Sequence, residues 1–162
     1  RLSAMWMWEK KHYYRISKYD PKFRENGVYK KNEWTSIFDV GNIFEGIKFT
    51  MKEYLVVENN YLLAIEKLLE TTNTKSLTIS KLEDYQSQCD YKKGQHLHQK
   101  NDILSVVRDC LREKYWCELY SPSLTIHFGY EYYVYVRCAL SYSEIVSETS
   151  CFNLFVEKDK MP

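Results

Sequence analysis

Leu124-Thr125-Ile126-His127-Phe128-Gly129-Tyr130-Glu131-Tyr132-Tyr133-Val134-Tyr135-Val136-Arg137 is the stretch that decides the fold. Aromatic and β-branched residues dominate it and alternate with polar ones, the period-2 pattern of a strand with one buried face. Phe128 to Tyr135 therefore belongs to a sheet. Gly129 makes residues 124–140 either a hairpin around that glycine or one long strand bent there. Along the strand, Tyr130, Tyr132, Val134 and Val136 mark a core face. Glu131, Tyr133, Tyr135 and Arg137 mark the other, with aromatic bodies flanked by opposite charges.

Working outward, Trp116 to Tyr120 is a strand ended by Ser121-Pro122, and Cys151 to Val156 is the last strand. Upstream, Thr50 and Glu53 form a capping box at the start of a helix running from about Met51 to Thr71. Tyr54, Val57, Tyr61, Ala64, Ile65 and Leu68 give it one apolar stripe, and Glu58, Glu66 and Glu70 lie off that stripe. A second helix runs from Asn101 or Asp102 to about Lys114, burying Ile103, Val106, Val107, Cys110 and Leu111. Lys75 to Ser80 is a short strand, and residues 81–100 are mostly loop.

Near the start, residues 6–16 alternate as a half-buried strand. Trp6, Trp8, His12, Tyr14 and Ile16 fall on one side, with Glu9, Lys11 and Arg15 on the other. Asp20-Pro21 to Asn26-Gly27 reads as turn, Val28 to Trp34 as a short returning strand, and Ser36 to Gly41 as one helical turn before Gly46. The order of elements predicts an α+β fold: an antiparallel or mixed sheet of about five to six strands with two main helices on one face. Arg1 to Ala4 read as a cloning remnant ahead of Met5, and residues 5–162 as a single domain.

The composition is globular, with 44% hydrophobic and 28% charged residues, and its bias is aromatic: 15 Tyr, 7 Phe and 4 Trp. Such residues build half-wet sheets and also interfaces. A net charge of +1 argues against a DNA-coating protein. The charge is uneven: residues 1–31 hold nine Lys/Arg against three Asp/Glu, and residues 32–72 hold three against seven. Five cysteines without a CxxC pair, no apolar run of membrane-spanning length and no signal-peptide pattern point to free thiols in a cytoplasmic protein with no membrane partner.

Chemical motifs are scarce. The five scattered glycines form no phosphate-cradling loop, and neither a G-x-S-x-G elbow nor an HExxH helix is present. Cys89, His96 and His98, with Asp90 beside Cys89, offer zinc-type ligands, but their spacing matches no recurrent site. No metal and no cofactor is therefore expected. Cys110 lies on an apolar helix stripe, which suits an inert core thiol. His127 and Glu131 would share a face of a continuous strand, an imidazole with an orienting carboxylate, which makes a small enzyme one alternative. An RNA-binding sheet is another, with Lys10, Lys11 and Arg15 converging on exposed tyrosines. The neighbourhood of the aromatic strand is acidic, however, with Arg137 as its one basic residue, so protein contact fits it better than nucleic acid.

Several stretches together resemble a family of small bacterial proteins. They are Glu33-Trp34-Thr35-Ser36 with Asp39-Val40-Gly41, Tyr54 to Glu58, Leu111 to Cys117, Phe128 to Tyr135, and Leu154 to Glu157. These proteins resemble immunity proteins of polymorphic-toxin and contact-dependent growth inhibition systems. The resemblance implies a cytoplasmic, non-enzymatic inhibitor that binds and blocks its cognate toxin domain, most often a nuclease. A monomer is expected. Acidic residues would speed association and aromatic anchors would supply affinity, which singles out Glu58, Glu66, Glu70, Glu131, Tyr133 and Tyr135 as contact residues.

Overall fold

Chain segments that alternate in polarity, and helices with one apolar stripe, can bury those surfaces only against one another. The computed structural model, which describes residues 10–162, shows how they do so. In chain order the elements are β1 (His12–Ser17), β2 (Arg24–Glu25), β3 (Val28–Tyr29), β4 (Ile43–Phe44), β5 (Ile47–Lys48) and α1 (Met51–Thr71). They continue with β6 (Leu77–Glu83), β7 (His96–Leu97), α2 (Lys100–Leu111), β8 (Trp116–Tyr120), β9 (Leu124–Phe128), β10 (Val134–Cys138), α3 (Tyr142–Thr149) and β11 (Phe155–Lys158). The fold is α+β. Seven strands form one antiparallel sheet in the order β11-β1-β10-β9-β8-β6-β7, and β2-β3 and β4-β5 are separate small hairpins.

The sheet is thus larger than the five to six strands expected, and wholly antiparallel. Two helices were expected and three occur among the described residues. The eight residues of α3 contain one deeply buried aliphatic, Ile145, too few to make a visible stripe. Its local signal is a capping box, in which Ser141 accepts from the Glu144 amide and the Glu144 carboxylate accepts from the Ser141 amide. Residues 6–9 of the expected first strand lie outside the described residues. Asn26 and Gly27 reverse the chain with φ of 51° and 79°, as their sequence suggests. Glu45 and Gly46 do the same, with φ of 49° and 81°, and so close a second hairpin where only a helix break was expected.

α1 occupies Met51–Thr71 as predicted, with the Thr50 hydroxyl accepting from the Glu53 amide. It packs on α2 and α3, and its Tyr54, Tyr61 and Leu68 share one apolar cluster with Tyr14 and Ile16 of β1, Ile79 of β6, Leu119 of β8, Ile126 of β9 and Val136 of β10. The inward residues of the strands and the stripes of the helices therefore close one core on one side of the sheet.

Residues 124–138 form a hairpin, not a continuous strand. Gly129 N–H donates to the Tyr133 carbonyl at 2.8 Å and Tyr133 N–H to the Tyr130 carbonyl at 3.2 Å. Glu131 and Tyr132 occupy the turn with φ of 61° and 71°, a left-handed pair in which glycine and asparagine are the comfortable residues. Tertiary bonds hold it. The Tyr19 hydroxyl donates to the Glu131 carbonyl at 2.6 Å, the Tyr61 hydroxyl donates to the Tyr132 carbonyl at 2.8 Å, and the Tyr132 ring is buried. The turn also breaks the alternation. Tyr130, expected in the core, is 85% exposed.

Glu58 was expected off the apolar stripe and is instead 3% exposed. It accepts from Arg112 at 2.6 and 2.7 Å and from the Tyr54 hydroxyl at 2.7 Å, with Arg108 at 3.6 Å. Tyr54 also bonds the Tyr132 hydroxyl. A carboxylate can be buried here because its oxygens are satisfied by charged and phenolic donors.

Candidate functional site

Across the sheet, the side chains opposite the core define a second face. One row of register partners crosses it: Glu157 of β11, Arg15 of β1, Tyr135 of β10, His127 of β9, Glu118 of β8 and Lys81 of β6. Side chains opposed in this way interact across strands. Arg15 makes hydrogen bonds of 3.0 Å to both oxygens of Glu157. His127 Nδ1 lies 2.9 Å from a Glu118 oxygen, and Lys81 lies 3.7 Å from the same oxygen. Burial alone would raise the Glu118 carboxyl, but the hydrogen bonds from His127 and Ser80 and the charge of Lys81 outweigh it and hold it below the usual carboxylate range. The row is therefore charged, pre-paired and rigid.

Aromatic rings fill the spaces between these pairs. Trp116 meets His127 edge-on at 5.0 Å and donates its indole N–H to the Phe128 carbonyl at 2.7 Å. His127 meets Tyr135 at 6.1 Å. The Tyr135 ring lies over the hairpin backbone at Gly129, where a Cβ would come within 2.8 Å of its Cε2. A depression of about 240 Å³ opens at His127, walled by Tyr13, Glu118, Tyr120, Tyr135 and Arg137, with Pro162 also lining it. Toward one end the face is covered by the turn before β2 and by the β2-β3 hairpin. There Tyr19 packs on Tyr133 at 5.1 Å, and Arg24 donates to the Tyr133 hydroxyl at 2.8 Å.

The six sequence-predicted contact residues do not converge. Glu58 is enclosed by Arg112 and Tyr54 and offers no surface. Glu66 is half-buried with Lys100 at 3.7 Å, and Glu70 is exposed; both sit on α1, on the core side of the sheet. Glu131 is exposed at the hairpin turn. Tyr133 and Tyr135 are half-buried on the open face, Tyr133 under Arg24 and Arg15. The orienting partner of His127 is Glu118, because the hairpin carries Glu131 out of the strand. No alternation rule within one strand could find it; it follows from the pairing of β8 with β9. Arg15, one of the cations proposed for RNA, is closed on Glu157. His96 bonds Thr78 at 2.7 Å and its ring is 6.2 Å from that of His98, and no cluster of three or more metal-ligating side chains occurs among the described residues.

The stretches behind the family resemblance meet largely in the core. Trp34 stacks on Phe49 at 4.6 Å and meets Tyr132 edge-on at 5.3 Å. Lys18 lies 4.2 Å from the Trp34 and Tyr19 ring centres and 3.4 Å from Glu33, and burial pushes its ammonium down to about 8 against the pull of Glu33. Asp39 accepts from the amides of Thr35 and Ser36 at 2.8 and 3.3 Å. These residues bind segment 33–49 to α1 and the β9-β10 turn; they build the fold. Neither a family model, a curated protein nor a solved structure matches the chain. No helix among the described residues is long and apolar enough to cross a membrane.

Proposed function

We propose that this chain is a non-enzymatic protein-binding domain, a cytoplasmic immunity protein that occludes a cognate toxin domain by docking through the open face of its sheet. The observation that carries the reading is the uncovered face itself. No α-helix among the described residues packs over it, and it presents Tyr13, Tyr120, Tyr135, Trp116 and His127 among charges that are paired within the chain, Arg137 excepted. Aromatic surface with its charges neutralised is the composition of an interface core. Side chains held in place before binding lose little entropy when they dock. Glu131, exposed at the β9-β10 turn, with Glu113 beside it just past the end of α2, would steer a basic partner such as a nuclease. The family resemblance supplies the partner class. A toxin gene adjacent to this one is expected; co-expression with its toxin domain should protect cells, and the purified pair should bind in the nanomolar range. Absence of both protection and binding overturns the reading.

A second reading, a small enzyme, draws on the Glu118–His127 contact at the mouth of the depression, which supplies an oriented base but no defined nucleophile. His127→Ala separates the two. Protection of cells survives that change if His127 serves only as one contact among several, and is abolished if the chain neutralises the toxin by chemistry.

A further inference from the structure

Six arginines occur in the sequence, and five of them lie among the described residues. Four of those five close on two glutamates: Arg15 and Arg24 on Glu157, at 3.0 and 3.3 Å, and Arg108 and Arg112 on Glu58, at 3.6 and 2.6 Å. Arg137 is the fifth. It stands on β10 between its register partners Tyr13 and Thr125, half-buried, with its guanidinium over the Tyr13 ring at 5.9 Å. Among the described residues no carboxylate lies within ion-pair distance of it.

We infer that Arg137 and His127 frame a socket in the open face that receives one side-chain carboxylate of the partner protein; this rests on the docking reading above. A half-buried guanidinium with no counter-ion among the described residues has lost hydration and has only the Tyr13 ring face in return, and a planar carboxylate matches its fork of donors. His127 donates Nδ1–H to Glu118, so Nε2 is its remaining nitrogen and donates to a carboxylate only in the doubly protonated ring, which leaves Arg137 as the principal donor of the socket. The walls are the rings of Tyr13, Tyr120 and Tyr135, which would dry the ion pair as it forms. The charge of the site selects among anions. Glu118 is part of the same wall, so one negative charge balances Arg137, whereas a doubly charged phosphate would face Glu118 across the depression. Size selects as well: about 240 Å³ lies below the ~300–1,000 Å³ of pockets that enclose small molecules, and suits a single side chain.

The socket can be probed without knowing the partner. N-acetyl-glutamate N-methylamide is titrated into the protein while the Arg137 side-chain N–H and the His127 ring are followed by NMR, with the glutamine analogue and inorganic phosphate as separate arms. The expected result is saturable binding of the glutamate probe, weaker binding of phosphate, none of the glutamine probe, and loss of the response in Arg137→Gln. A response equal for glutamate and glutamine, tighter for phosphate, or unchanged in Arg137→Gln overturns the inference. With the toxin domain as ligand, Arg137→Gln should weaken binding by roughly tenfold or more at unchanged melting temperature. A toxin domain that binds both forms equally refutes the socket and leaves the docking reading standing. If no toxin domain binds at all, the docking reading fails and the glutamate titration alone decides the socket.

Discussion

The two faces of the seven-stranded sheet use the same residue type for opposite ends. On the covered face, Tyr14, Tyr54, Tyr61 and Tyr132 are almost wholly buried, and every hydroxyl has a partner inside the molecule. On the open face, Tyr13 and Tyr120 are 36% and 43% exposed and Tyr135 is half-buried. A buried phenol contributes through its ring and through a bond that no water can replace. An exposed one adds little to stability, and its apolar body is available to a partner. The aromatic bias of the composition is therefore two populations, one that closes the core and one that stays at the surface of the sheet.

That contrast can be broken by charge removal on each face. Arg112→Ala strips Glu58 of its bidentate partner in the core, and should cost about 3 kcal/mol in denaturant unfolding. Arg137→Ala on the open face should change stability by no more than about 0.5 kcal/mol. Comparable losses at the two sites would mean that the faces are not divided as described.

Ionisation provides the next largest separation. Burial pushes Tyr14 up to about 12 and also raises Tyr54, Tyr61 and Tyr132 well above the ordinary phenol. Their folded-state values lie above the unfolded value of about 10, so the stability they contribute is complete below pH 10 and is lost as pH rises beyond it. Lys18 acts with the opposite sign. Its folded-state value of about 8 lies below the unfolded value of about 10.5, so between those values the unfolded chain holds the extra proton and stability rises with pH. Relative to Lys18→Met, the wild-type denaturant midpoint should gain from pH 8 toward 10, on a background that falls once the thiols of Cys110 and Cys138, pushed up by burial, ionise in the unfolded chain, and falls again above pH 10 with the tyrosines. Tyrosinate absorbance should rise in two steps, the second coincident with unfolding; a single step at ordinary pH in the folded protein would contradict the burial described.

A modest effect on stability is expected at Gly129. A Cβ there meets the Tyr135 ring at 2.8 Å, and that ring can swing toward solvent. It also meets the Tyr133 Cβ and carbonyl oxygen at 3.2 and 3.3 Å, which must give by a few tenths of an ångström. Gly129→Ala should cost about 1 kcal/mol. It should also shift the Tyr135 and His127 ring resonances while leaving those of Tyr54 and Tyr132 in place.

Periodicity made the long elements legible. The bounds of α1 and β8, the stripe of α2 and the reversal at Asn26-Gly27 all follow from local pattern, because each buries its own period. What stayed hidden depends on contacts distant in sequence. Glu58 sits one helical turn beyond Tyr54, and its burial is decided by Arg112, 54 residues away. The left-handed pair Glu131-Tyr132 carries no glycine to announce a turn, and is held by Tyr19 and Tyr61. The row from Glu157 to Lys81 is assembled from six strands, so its pairing appears only once the strand order is known. α3 has too few buried side chains to show a period. The candidate face was legible in its parts, Tyr133, Tyr135, Arg137 and His127, but not in the contact at its centre, where Glu118 and not Glu131 meets His127.

The claim that the open face is the docking face is tested most directly by the dissociation constant of the toxin domain for two surface variants, Tyr135→Ala on β10 and Glu70→Lys on α1. The account predicts that Tyr135→Ala loses about 2 kcal/mol of binding, roughly thirtyfold in affinity, with its melting temperature held, and that Glu70→Lys binds as the wild type does. Unchanged binding by Tyr135→Ala together with a loss in Glu70→Lys would contradict it and move the interface to the outer surface of α1.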